Sequence, residues 1–235
     1  MVRSLNMLGY ELSELYRGTY KVTDSIDIRL FKTWVQQARA VLVKQRLDDN
    51  MMIIDEHLVQ DLGKVTMAPV DSSVGTHTSD KYMMRSTARI PVTINRKGNI
   101  GTFTRIASAD LLELKFNLVS YERALVSGNG KFNQNDIYTF VHDGYLFIIS
   151  KTNIHKYIKE LHVKGIFANP EDAYTFNTSH AGVPWTDDME YPVSESIVMD
   201  LQNIIMDKKF KFVMTPFEDN KANGHDDIVN PGVKK

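Results

Sequence analysis

Ser127-Gly128-Asn129-Gly130-Lys131 is the first place to look for chemistry, because glycines ahead of a lysine can cradle a phosphate. A phosphate loop needs Gly-x-x-x-x-Gly-Lys-Ser/Thr, so that backbone N–H groups and a hydroxyl hold phosphates and magnesium. Here Leu125 stands in place of the first glycine and Phe132 in place of the hydroxyl. The segment therefore reads as a turn. The histidines are His57, His77, His142, His155, His162, His180 and His225, with no His-Glu-x-x-His and no pair at i, i+4. Metal binding would need ligands that only the fold brings together. His225-Asp226-Asp227 could hold a hard cation, but calcium loops place more ligands at fixed spacing. A polar tail is the simpler reading. There is no Gly-x-Ser-x-Gly, hence no nucleophile elbow. The absence of cysteine removes a thiol nucleophile, a Cys-ligated zinc site, an iron–sulfur cluster and a disulfide scaffold. Asn177-Thr178-Ser179 fits a glycosylation acceptor by pattern, and without a secretory signal it reads as a chance match. No cofactor and no metal are expected. A hydrolase assembled from scattered acids and histidines would need a concave pocket with several perturbed carboxylates.

Bases interleaved with aromatic rings are the other chemical possibility. The chain has 2 Trp, 10 Tyr and 11 Phe, and Arg96, Lys97, Phe103, Arg105 and Lys115 lie in one block. Such a block could stack single-stranded nucleic acid. It is also what a β core filled with aromatic residues looks like. The charge balance, 28 Lys+Arg against 29 Asp+Glu for a net −1, argues against phosphate backbone as the main partner. Near-neutrality suits a subunit that packs against copies of itself. Eleven methionines fit either an adaptable interface or a forgiving core.

The elements that would carry these residues are legible in part. Leu5, Leu8, Leu12, Leu15 and Tyr16 predict a helix over about 5–17, with Gly18 as a left-handed stop. Asp24 or Ser25 can cap a second helix over about 25–47, whose stripe runs Leu30, Phe31, Trp34, Val35, Ala38, Val41, Leu42 and Gln45. Its bases, Arg29, Lys32, Arg39, Lys44 and Arg46, then form a polar face. From about 58 to 167 the texture is β, with Gly63 a candidate bulge. Residues 89–94 and 100–106 predict a hairpin around Asn95–Asn99. Residues 114–119 predict a strand leading into a short helix at 121–126. Asp143-Gly144 between Ile137–Val141 and Tyr145–Ile149 is the strongest hairpin signal in the chain. Another strand is expected at 157–167, then a turn with Pro170 at its first position. Ser194 can cap a last helix carrying Ile197, Val198, Leu201, Ile204, Ile205 and Phe210. The polar segment 215–235 shows no periodicity. The fold class is α+β. The expected division is a helical part at 1–52, an antiparallel β lobe with a short helix at 53–168, a connecting loop at 169–193, a helix at 194–214 that packs on the helical part, and an arm or tail at 215–235. The N-terminus has no secretory apolar run, and Tyr145–Ile149 is far below the roughly 20 residues of a membrane helix. Synthesis in a cytosol-like compartment is expected.

Four blocks carry a family resemblance. They are Leu15-Tyr16-Arg17-Gly18-Thr19-Tyr20 with Asp24-Ser25-Ile26-Asp27 and the long helix; Val59-Gln60-Asp61-Leu62-Gly63; Asp143-Gly144-Tyr145-Leu146-Phe147-Ile148 followed by Val163 to Asp172; and Tyr191-Pro192-Val193-Ser194 before the last helix. In this order the chain resembles the ring, adaptor and tail-tubular connector proteins mounted beneath the portal of short-tailed bacteriophages. It is most similar to the virion structural proteins of crAss-like phages. The resemblance implies a non-enzymatic building block of the virion that forms a ring, commonly of twelve copies. Its partners would be its own copies, the portal, neighbouring tail proteins, and genomic DNA that passes without being read. An extended tail gripping neighbours is also implied. No motif assigns the contacts. The exposed side of the long helix (Arg29, Lys32, Arg39 and Lys44) and the arm residues Phe217, Asp219, Ile228 and Val229 are the candidates. A monomeric β-lobe module binding nucleic acid or another ligand is the alternative.

Overall fold

A computed structural model describes residues 3–20, 26–49, 55–70, 82–96, 100–108, 114, 116–152 and 157–210. Helix α1 spans Leu5–Tyr20 and buries Leu5, Leu8, Leu12 and Tyr16 of the expected face, while Leu15 is exposed. It does not stop at Gly18. One more half-turn brings the Tyr20 ring within 5.3 Å of Tyr16 and 6.1 Å of Phe210, and this packing outweighs the entropy of a helical glycine. Helix α2 spans Ile28–Asp48. Its cap is Asp27, whose Oδ1 accepts from the Arg29 backbone N–H at 2.9 Å. The buried face is Phe31, Trp34, Val35, Ala38, Arg39, Leu42, Val43 and Leu47. Leu30, Val41 and Gln45, expected in the stripe, are exposed. The true stripe is turned by about one residue, onto the 31–35–39–43 row.

The sheet strands are β1 (Gln60–Pro69), β2 (Tyr82–Ser86), β5 (Phe103–Ser108), β6 (Phe116–Leu118), β7 (Ile137–His142), β8 (Tyr145–Ser150) and β9 (Glu160–Gly165). They form one seven-stranded sheet in the order β5-β9-β1-β2-β8-β7-β6. All neighbours are antiparallel except β6 and β7, which run parallel. The all-antiparallel expectation fails there for a topological reason. Helix α3 (Tyr121–Val126) lies between the two strands in sequence, and a helical crossover is what parallel neighbours need. The expected 89–94 strand is also absent. A short hairpin of β3 (Asn95–Arg96) and β4 (Ile100–Gly101) replaces it. Residues 90–94 instead cross strand ends, with Ile90 N–H donating to Gly144 O and Ile94 N–H to Ile166 O. The β7–β8 turn is as expected, with Asp143 and Gly144 at φ 50° and 80°.

β8 is apolar from Leu146 to Ile149 because both of its faces are covered. Leu146 and Ile148 face a core shared with Leu62, Val65, Leu161, Val163 and Phe167. Phe147 and Ile149 face the opposite core, under α3. The Gly63 bulge is present, with a register shift between Asp61 and Gly63 on β1. Helix α4 (Pro170–Phe176) starts at the Asn169 cap. Its end is tied to that bulge by Asn177, whose Nδ2 donates to Asp61 O at 3.0 Å.

Helix α5 spans Glu195–Ile204 and continues as a π-helical turn over Ile205–Phe210. Ser194 stands at the cap, but its Oγ pairs with Ser196 Oγ at 3.0 Å rather than with a backbone amide. Helices α1, α2 and α5 share one core, joined by Leu58, Ile94, Ile166 and Tyr191 from the sheet side. Phe210 closes it, with Tyr16, Phe31 and Trp34 centroids 4.9, 5.9 and 5.9 Å away. Terminal helices packed together beside a largely antiparallel sheet make this an α+β fold. The arm expected at 215–235 lies outside the described residues.

Candidate assembly surface

The α2 candidates divide by their place on the helix. Arg29 and Lys44 are exposed. Lys32 is half-buried, and its Nζ pairs with Asp187 Oδ2 at 2.6 Å, tying α2 to the 177–193 connection. Arg39 is not on the exposed side at all: it is fully buried. Its Nε donates to Pro192 O at 2.7 Å and its Nη1 to Phe167 O at 3.0 Å. The guanidinium lies 5.7 Å from the Tyr191 ring centroid. Helical geometry is the reason, since Arg39 stands four residues from Val35 and four from Val43, both buried. That spacing was the sequence signal that marks it as interior. Phe217, Asp219, Ile228 and Val229 lie outside the described residues.

Arg39 has no carboxylate within ion-pair distance among the described residues, and its Nη2 and the Tyr191 hydroxyl are buried without hydrogen-bond partners. Burial lowers the Arg39 pKa, partly opposed by Tyr191. Burial pushes the Tyr191 phenol up to about 12, with the Arg39 charge acting the other way. The cation is held by two carbonyls and an aromatic face, a positioning device that joins α2 to the ends of β9 and of the 177–193 connection. Nothing in this arrangement offers a reacting atom.

Three of the concave regions among the described residues gather titratable, aromatic or apolar side chains. The first, of about 640 Å3, is lined by His57, Asp61, His180, Trp185 and Glu190. Its titratable groups hold structure. Asp61 Oδ2 lies 3.3 Å from both His162 Nε2 and Lys164 Nζ. The His180 ring stacks on Tyr174 at 4.1 Å. Among the described residues no group of His, Cys, Asp or Glu could hold a metal ion. The second region, of about 220 Å3, lies between β2, β7, β8 and α3. There Arg85 and Arg89 stand 4.6 and 5.5 Å from the Tyr145 ring, and Tyr121 stacks on His142 at 4.2 Å.

The third is an open groove of about 760 Å3 between α1 and α5, floored by Met7, Tyr10, Leu15, Val198 and Met199. Arg3 bridges its two walls, reaching Glu11 Oε2 at 2.6 Å and Glu195 Oε2 at 3.3 Å. The Arg3 hydrogen bond holds the Glu195 carboxyl below its ordinary range and raises Arg3 in turn. Tyr10 is 64% exposed and Met199 71%. Leu15 and Val198 were expected in the apolar stripes of their helices, whereas Met7, Tyr10 and Met199 were not singled out from the sequence.

Among the described residues no helix is long and apolar enough to cross a membrane. No curated protein matches the chain. The family model for phage tail ring protein 2, of the crAss ring type, matches residues 21–228. The match takes in α2, the whole sheet and α5, so the chain belongs to the phage tail ring protein 2 family, structural proteins of the virion.

Proposed function

We propose that this protein forms one ring of the connector between portal and tail, extends the DNA exit channel, and docks the next tail component. Family membership over residues 21–228 carries the reading. Its role is mechanical and topological rather than catalytic. Twelve copies would match the portal, and a ring needs heterologous contacts, in which one patch meets a different patch on the next copy. We assign residues 1–52 with 194–214 to the helical part and 53–168 to a β lobe, linked by 169–193. Arg29 and Lys44 on α2, with Phe217, Asp219, Ile228 and Val229 in the 215–235 arm, are the proposed contacts. Made in the host cytoplasm, the protein acts in the virion. A net charge of −1 supports a channel wall that lets DNA slide, since a strongly basic wall would hold phosphates. Light scattering and negative-stain imaging, alone and with portal, test this. Rings in either sample are expected; a monomer that ignores portal at micromolar concentration would break the reading.

The pocket between β2, β7, β8 and α3 favours a second reading, a β-lobe binding module. Arg85 and Arg89 beside Tyr145 are a combination that takes nucleic acid. Its mark would be oligonucleotide binding that weakens steeply with salt. No binding at low salt would remove it.

A further inference from the structure

We propose that neighbouring copies join head to tail, with the α3–β7 connection of one copy seated in the α1–α5 groove of the next; this rests on the ring reading above. Two apolar features have no partner within the described residues. One is the groove, where Tyr10 and Met199 stand open between the two helices. The other is the end of α3 and the connection after it, where Val126 is 69% exposed and Phe132 is 98% exposed. A single exposed apolar residue calls for no explanation. A bare phenylalanine on one margin and an apolar groove on another do, when the molecule must bind itself through two different patches.

The fold sets the two features apart. The helical core takes in Leu58, Ile94 and Ile166, next to the ends of β1, β3 and β9. The α3–β7 connection belongs to the opposite margin, where β7 and β6 end the sheet. In the order of the sheet β9 and β6 stand five positions apart. A contact between patches on opposite sides cannot satisfy itself within one pair and propagates until the rotation closes. Charge follows the same sense. The groove rim carries Glu11, Glu14 and Glu195 against Arg3 and Arg17, an excess of one acid. Beside Phe132 stands Lys131, exposed and in no ion pair among the described residues. The occupant is therefore a second copy of this chain, with Phe132 as the inserted ring and Lys131 at the acidic rim.

The test uses Phe132→Asp and Met199→Asp, both at exposed positions, with circular dichroism to check folding. Each variant keeps one half of the contact. Alone, each should lose ring formation at least tenfold; mixed in equal amounts, they should stop at a dimer by analytical ultracentrifugation. The chain has no cysteine, so Phe132→Cys with Met199→Cys in one chain gives a second readout. Under oxidation that double variant should cross-link into a ladder, while each single variant stays at one or two chains. Rings that persist in both Asp variants, or a double variant that gives no ladder while wild type forms rings, overturn this contact and leave the ring reading standing. A wild type that assembles neither alone nor on portal, with no ladder from the double variant, overturns both.

Discussion

Arg39 and Tyr191 show how much a single buried pair can hold. Arg39→Ala removes the donors to Pro192 O and Phe167 O and opens a cavity beside α2. A loss of about 3–5 kcal/mol is expected in urea unfolding; a loss under about 1 kcal/mol would show that the two segments hold without it. Tyr191 behaves oppositely, because its hydroxyl is buried with no partner among the described residues. Tyr191→Phe keeps the ring over Arg39 and should be neutral or stabilising within about 1 kcal/mol. The phenol also sets a pH dependence. Its pKa is raised from 10.0 to about 12 in the fold, so its neutral form is favoured there. That stability is fully present below pH 10 and is lost as pH rises to about 12, by on the order of 1.4 kcal/mol per unit. Arg39, with a lowered pKa, acts in the opposite sense at the alkaline end. Urea midpoints between pH 8 and 11.5 should fall for wild type and stay flatter for Tyr191→Phe. Equal slopes would place the alkaline loss elsewhere.

At the scale of elements, the legible parts are those whose signal is local. Asp143-Gly144 dictates its hairpin because both residues must take positive φ. Asn169-Pro170 starts α4 for an equally local reason, a side-chain cap followed by a fixed φ. The unread parts depend on distant partners. Residues 90–94 alternate like a strand, yet Ile90 N–H goes to Gly144 O, and the pairing with 166–168 is a single antiparallel bridge, Thr93 with Phe167, too short to make a strand. The parallel β6–β7 pair follows from where α3 packs, which no periodicity reports. The β1 bulge joins both kinds, since Gly63 was visible but its reason was not. Gly63 has φ 68°, and an added Cβ would lie 2.6 Å from Asn177 Oδ1. Gly63→Ala should cost about 2–4 kcal/mol. In an Asn177→Ala background only the backbone cost of roughly 1 kcal/mol should remain. Additive losses would mean that the clash is relieved by movement.

For the whole molecule, segment order was enough to point to the family, because order and spacing survive when no catalytic motif exists. The contact surface was less legible. A polar face drawn from the expected stripe included Arg39, and a one-residue turn of that stripe sent it inside. Arg29 and Lys44 stay on the outside. Replacing both with Glu should leave unfolding stability within about 0.5 kcal/mol. If α2 faces a partner ring, stacking on portal should weaken while the mass of the ring itself is unchanged. Stacking that is indifferent to the reversal would release α2 from that role. The groove between α1 and α5 could not be read from either helix alone, because its two walls are far apart in sequence.

The wide turn at Ile205–Phe210 has a consequence for chain length. Both of its ends are fully buried, five residues apart. In an ordinary α-helix the positions stacked over Ile205 would be Lys208 and Lys209. Winding with i→i+5 bonds carries both lysines past the core and delivers Phe210 instead. The turn thus behaves as one surplus residue absorbed inside a helix. Deleting Lys208 should let a regular helix present the same ring at i+4, with the near-ultraviolet signal of Trp34 retained. A homologous chain shorter by that residue would need no other change to keep this core closed.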